Sequence, residues 1–109
     1  MHELGLALEV VEAVAARAEG GRVKRVVLEV GALTAVLPDA LRSCFTLAAE
    51  GTPADGAVLE IHERLARARC RGCGAELSLA RPYGICACGG SDLEWLSGDE
   101  LRIFEMEVE

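Results

Sequence analysis

Four of the five cysteines fall within nineteen residues, as Cys70-Arg71-Gly72-Cys73-Gly74 and Cys86-Ala87-Cys88-Gly89, with twelve residues between the pairs. Each short turn presents two thiolates, and the glycine after each pair frees the backbone to fold round an ion. A hairpin-length spacer then joins the pairs into the tetrahedron of four thiolates that Zn²⁺ prefers. Such a site has no open position, which points to a structural ion rather than a catalytic one. Iron in a rubredoxin-like site meets the same ligand pattern, and the spacing alone does not choose between the metals. The second pair is C-x-C, one residue shorter than the first, which tightens its chelate ring and makes Cys88 the weakest expected ligand.

A chain of 109 residues, 51% hydrophobic, holds one modest core or one core plus a metal-held lobe. Glu9, Glu12 and Arg17 interrupt the first helical segment and no basic stretch precedes it, so neither a signal peptide nor a membrane span is expected and a cytoplasmic location is the default. Clustered cysteines in that setting indicate thiolates on metal rather than disulfides. The formal net charge of −7 argues against nucleic acid, which needs a basic surface. Arg64, Arg67, Arg69 and Arg71 do gather beside the first cysteine pair, but no aromatic residues interleave with them.

Along the chain the period changes repeatedly. Residues 4–19 follow a helical spacing, with Leu4, Ala7, Leu8, Val11, Ala15 and Ala18 as the expected apolar stripe and Gly20-Gly21 as the stop. Residues 22–30 alternate as a strand, and Val27 makes both faces partly apolar, which places the strand centrally. Pro38 opens a second helix, with Leu41, Cys44, Phe45 and Ala48 expected inside. The run 51–56 is turn chemistry, a strand follows from about Val58, and a last strand covers 101–108 with Phe104, Met106 and Val108 inward. The fold class is therefore α+β: two helices on a small three-stranded sheet, with a four-cysteine zinc-ribbon lobe inserted between two strands. Leu77, Leu79, Ile85, Leu93 and Trp95 are the few apolar residues of that lobe.

Met1-His2-Glu3 stands directly against the first helix. The α-amine of Met1, the His2 imidazole and nearby backbone amide nitrogens can chelate one ion, and nitrogen donors in a plane suit Ni²⁺ or Cu²⁺. The first amides of a helix lack intrahelical acceptors, so metal there breaks no ladder. The helix N-terminus repels a cation, so deprotonated amides or Glu3 must offset that field.

These features come with Val30-Gly31-Ala32-Leu33, Leu41…Cys44-Phe45, Glu50-Gly51-Thr52-Pro53-Ala54-Asp55-Gly56-Ala57, Leu59-Glu60-Ile61 and Gly90-Ser91-Asp92-Leu93-Glu94. In that order and spacing the whole chain resembles the HypA/HybF family, the nickel metallochaperones of nickel–iron (NiFe) hydrogenase maturation. The resemblance implies a nickel-binding α/β domain over 1–66 and 97–109 and a zinc-ribbon domain over 67–96. It implies Ni(II) as transferred cargo, held by His2 with Glu3 tuning the site, and structural Zn(II) on Cys70, Cys73, Cys86 and Cys88. It also implies a nickel-handling maturation GTPase and the NiFe hydrogenase large subunit as partners, with urease accessory proteins for some members. On this reading there is no enzymatic activity, no nucleic-acid or membrane partner, and the chain is a monomer or a weak homodimer. The chain departs from the family in its C-x-C knuckle and in Leu37, where many members carry an acidic residue; any such role passes to Asp39 or is lost.

Other residues have plainer explanations. Cys44 is expected as a small buried hydrophobe, and His62, which could replace a cysteine ligand, as an ordinary strand residue. Ser43 and Thr46 have no partner histidine or aspartate for a nucleophile triad, and Lys24 follows Val23 rather than completing a P-loop. Two other function classes compete: a zinc-ribbon adaptor or nucleic-acid module in which Met1-His2-Glu3 is accidental, and a thiol redox protein cycling Cys70 and Cys73.

Overall fold

A computed structural model describes residues 2–109. The elements run α1 (Glu3–Arg17), β1 (Val23–Gly31), a 3-10 turn (Ala32–Thr34), α2 (Pro38–Ala49), β2 (Val58–Arg64), β3 (Ala66–Cys70), β4 (Glu76–Leu79), β5 (Leu93–Ser97) and β6 (Leu101–Val108). They form two three-stranded sheets, in the orders β2-β1-β6 and β4-β3-β5. The second sheet is inserted in sequence between two strands of the first, and β1 is central, as the apolar character of both its faces requires. Among the described residues no helix is long and apolar enough to cross a membrane.

The chain divides into two compact units. The first comprises 1–28, 36–62 and 103–109; the second comprises 29–35 and 63–102, more than the 67–96 segment expected for the ribbon. In the first unit α1 packs against α2. Its core takes Ala7, Val10, Val11 and Val14 from α1, Leu41, Phe45 and Ala49 from α2, Val23, Val26, Val27 and Leu28 from β1, and Leu59 from β2. Each large side chain buried this way contributes about 1.5–3 kcal/mol.

The buried face of α1 keeps Ala7, Val11 and Ala18 of the expected stripe but is rotated away from Leu4 and Leu8. Ala7, Val10, Val11, Val14 and Ala18 lie inside, whereas Leu4 and Leu8 are 43% and 51% exposed. At 100° per residue Leu4, Leu8 and Ala15 fall on one flank of that stripe, and Glu3 falls on the buried side. On α2, Cys44 is half-buried rather than fully buried. On β6 both Phe104 and Val108 are exposed, because this strand lies at a sheet edge.

The second unit is held with little apolar volume. Ala66, Ala68, Cys70 and Cys86 are its buried small residues, Val30 is buried in the same unit, and Ile85, one of the lobe's few apolar residues, is exposed. Ala68 is paired with Leu77 on β4 and with Trp95 on β5, both half-buried. Glu29 supplies a polar fixture. Its buried carboxylate accepts from Arg102 Nε on one oxygen and from Arg64 Nε (2.9 Å) on the other. Arg102 first and Arg64 second hold this carboxyl below the usual glutamate range. A depressed carboxyl stabilises the fold fully above its unfolded value of about 4.3 and loses that contribution as pH falls through the lower folded value. Glu29→Gln should therefore lose stability at neutral pH and flatten the acid limb below about pH 4.3. Urea midpoints of both proteins across that range check this; parallel limbs would contradict it.

Candidate functional site

The cysteine site is built by two turns of unequal length. In the first, the Gly74 N–H donates to the Cys70 carbonyl (2.8 Å), and Gly74 has φ +79°. In the second, the Gly89 N–H donates to the Cys86 carbonyl (2.8 Å), and Gly89 has φ +90°. The first turn closes across four residues and the second across three, so the missing residue of C-x-C is absorbed by a tighter turn. Both glycines occupy the left-handed region that a side chain disfavours. Cys70 ends β3, and its N–H donates to the Ala75 carbonyl while Cys86 N–H donates to Gly90.

All four Sγ atoms lie within 4.8 Å of one another. Cys70 Sγ is 3.6 Å from Cys88 Sγ, and Cys73 Sγ is 3.6 Å from Cys86 Sγ. A disulfide needs about 2.05 Å, and all five cysteines are free thiols. Four sulfurs at about 2.3 Å from one tetrahedral Zn²⁺ stand about 3.8 Å apart, close to the spacing found. The donor set and its geometry thus fit a metal such as zinc, with Cys70 and Cys86 buried and Cys73 and Cys88 at the surface.

Electrostatics favours the same conclusion. The N–H groups of Cys73 and then Gly72 draw the Cys70 thiol down to about 7. At Cys88 the Gly90 N–H favours the thiolate, but the sulfurs of Cys70, Cys73 and Cys86 outweigh it and push the thiol up to about 11. The first proton leaves easily and the last is retained, so four thiolates at neutral pH need a cation among them. His62 is not a member of this cluster; its Nε2 lies 2.6 Å from Glu60 Oε2, and its ring faces Phe104 at 6.4 Å.

The arginines beside the cysteines are spoken for. Arg67 pairs with Glu76 on β4, Arg69 with Glu94 on β5 (3.7 Å), and Arg71 with Asp92 (3.6 Å). A stripe neutralised by its own neighbouring strands offers little to phosphates.

At the other candidate site, His2 is exposed and occupies the N-cap of α1. Its carbonyl accepts from the Leu6 N–H (2.9 Å), and its side chain makes no capping bond. Glu3, in the first turn, is buried, and its Oε2 accepts from the Leu37 N–H (3.2 Å). That bond, ahead of the opposing effect of burial, keeps the Glu3 carboxyl below its ordinary value. Its burial is not legible in the sequence, where an acidic first-turn residue is normally solvated. Asp39 is fully exposed and paired with Arg42 (2.9 Å). Met1, expected to contribute its α-amine, lies outside the described residues.

Comparison with known proteins agrees with this anatomy. A family model described as hydrogenase/urease nickel incorporation, metallochaperone, hypA matches residues 1–108. The hydrogenase maturation factor HypA of Nostoc sp. (strain PCC 7120) is 49% identical over 109 residues, covering 100% of this chain and 96% of that protein. That of Trichormus variabilis is 50% identical with the same coverage. The solution structure of the Ni metallochaperone HypA from Helicobacter pylori superposes with a TM-score of 0.63 at 23% identity, over 99% of this chain and 97% of that one, a likeness of fold. The chain therefore belongs to the HypA family of metallochaperones for hydrogenase and urease nickel incorporation, and is a maturation factor rather than an enzyme.

Proposed function

We propose that this chain carries Ni(II) on its N-terminus for insertion into NiFe hydrogenase, and that a structural zinc ion on Cys70, Cys73, Cys86 and Cys88 shapes a separate ribbon domain. The observation that carries the nickel reading is the exposed His2 side chain at the N-cap of α1, directly beside the buried Glu3 carboxylate. His2 supplies the nitrogen donor, the α-amine of Met1 a second, and the first amides of α1 have no intrahelical acceptor to lose. Glu3 is the secondary nickel residue. Its charge, fixed in the first turn by the Leu37 amide, offsets the field that a helix N-terminus turns against a cation.

The nickel is held at the surface, which suits transfer by ligand exchange. Leu4 and Leu8 in the first turns of α1, and Leu37, whose amide is tied to Glu3, leave apolar surface exposed near it. The partners on this reading are the nickel-handling GTPase and the hydrogenase large subunit, with urease accessory proteins as a second route. Zinc, once bound, supplies charge compensation and a fixed tetrahedral anchor for the two turns. Reduced thiols are required throughout, which agrees with a cytoplasmic location. A nucleic-acid module has less support, because Arg67, Arg69 and Arg71 are each paired with a carboxylate.

The test of the amine donor compares protein beginning at Met1 with protein carrying extra residues ahead of it. Nickel affinity should fall by about tenfold or more in the extended protein, with zinc content equal in both. Equal nickel affinity would remove the amine from the site.

A further inference from the structure

The four clustered cysteines are not equivalent. Cys70 and Cys86, the first of each pair, are buried, whereas Cys73 and Cys88, the second of each pair, are exposed. The 3.6 Å sulfur contacts run from one turn to the other, Cys88 to Cys70 and Cys73 to Cys86. Each of them therefore joins an exposed sulfur to a buried one. Gly90 leaves room beside the first contact, since a Cβ there would stand 3.2 Å from Cys70 Sγ and 3.4 Å from Cys88 Sγ. The fifth cysteine, Cys44, is half-buried on α2 and is not a member of the cluster.

An exposed thiolate with a second sulfur beside it is the arrangement that favours reversible oxidation. Exposure admits the oxidant, and the neighbouring sulfur traps the first product before oxidation goes further. A four-sulfur zinc site keeps every member in the thiolate form, which is the nucleophile. Burial decides the order of events: Cys73 and Cys88 meet the oxidant, and Cys86 and Cys70 resolve.

We propose that the ribbon is a peroxide-responsive switch, exchanging its zinc for the two turn-to-turn disulfides Cys70–Cys88 and Cys73–Cys86. The proposal rests on the structural-zinc reading above and adds a redox response to it. The Cys88 thiolate attacks one oxygen of hydrogen peroxide; an S–O bond forms, the O–O bond breaks, and hydroxide leaves and takes a proton to become water. The Cys70 thiolate then attacks the Cys88 sulfur; the S–S bond forms, the S–O bond breaks, and a second hydroxide leaves as water with a second proton. Each disulfide thus gives two electrons to one peroxide. Cys73 and Cys86 repeat the sequence with a second peroxide, and Zn²⁺, with its ligands consumed, passes to solvent. Both links join the same two turns that the ion joins. A thiol enzyme cycling Cys70 and Cys73 would instead close a link within one turn.

The test treats the zinc-loaded chain with hydrogen peroxide, removes small molecules, and quantifies zinc and disulfides in the same sample. Zinc should fall from one equivalent to near none as two disulfides form, with intact mass about four hydrogens below that of the reduced apoprotein. Alkylation followed by digestion and tandem mass spectrometry should find Cys70 linked to Cys88, Cys73 linked to Cys86, and Cys44 alkylated. Dithiothreitol with added zinc should restore one equivalent, and Cys44→Ser should respond as the wild type does. Zinc retained on four reduced cysteines would overturn the proposal. So would links within one turn, or Cys73 and Cys88 carried to sulfinic or sulfonic acids with no disulfide. A response lost in Cys44→Ser would also overturn it. A chain that takes up no zinc before treatment would refute the structural-zinc reading itself, and this proposal with it.

Discussion

Cys70→Ser is expected to leave residues 63–102 without a stable fold while α1, α2 and β1 persist. The reason is quantitative. The buried side chains of that unit are mainly Ala66, Ala68, Cys70 and Cys86, with Leu77, Leu79, Leu93 and Trp95 only half-buried. Such a set contributes a few kcal/mol at about 25 cal/mol per Å². A structural zinc contributes about 10–16 kcal/mol of apparent free energy. Removing one of four sulfurs breaks the tetrahedron and returns the charge problem of the remaining thiols, since the Cys88 thiol is already pushed up to about 11 when the sulfurs share the site without a cation. Zinc should fall from one equivalent to near none, near-ultraviolet signal from Trp95 should vanish, and amides of β3, β4 and β5 should exchange rapidly. Amides of α1 and α2 should stay protected. A chelator at neutral pH should reproduce this in the wild type. Retained protection across β3–β5 after zinc loss would show that the ribbon folds by side-chain packing alone.

The cysteine site is legible in the sequence because its constraints are local. Ligand spacing and the glycines after each pair are properties of a few consecutive residues. The C-x-C knuckle suggests a weak fourth ligand, yet the turn at Gly89 closes one residue earlier than that at Gly74 and brings Cys88 Sγ to 3.6 Å from Cys70 Sγ. The central place of β1 is legible for a similar reason, since Val27 declares a second buried face. What escapes a reading of the sequence is set by distant partners. Glu29 resembles a solvated strand residue, because its partners Arg64 and Arg102 are 35 and 73 residues away. Gly31 gives no local sign of its role. A Cβ there would meet the Gly98 carbonyl oxygen at 2.0 Å, so only glycine allows that approach. The buried face of α1 differs from the expected stripe because Leu4 and Leu8 compete with Val10 and Val14 for the interior, and hydropathy alone ranks the leucines no lower.

The second large effect concerns the cargo. Among the described residues, His2 is the one side chain at the start of α1 that offers an exposed nitrogen donor, whereas the Glu3 carboxylate is occupied by the Leu37 amide. Loss of a group that supports a ligand commonly costs about 10–100-fold in metal affinity, and loss of the ligand itself should cost at least about 100-fold. Because the His2 side chain makes no capping hydrogen bond, its removal should leave the helix start intact. The decisive measurement is therefore a nickel titration of protein beginning at Met1 beside its His2→Ala variant, both zinc-loaded, with zinc quantified in each. One nickel per chain in the wild type, lost in the variant at constant zinc and unchanged thermal midpoint, is the predicted result. Nickel binding of equal strength in both proteins would contradict the N-terminal site, and with it the account of how this chain carries its metal.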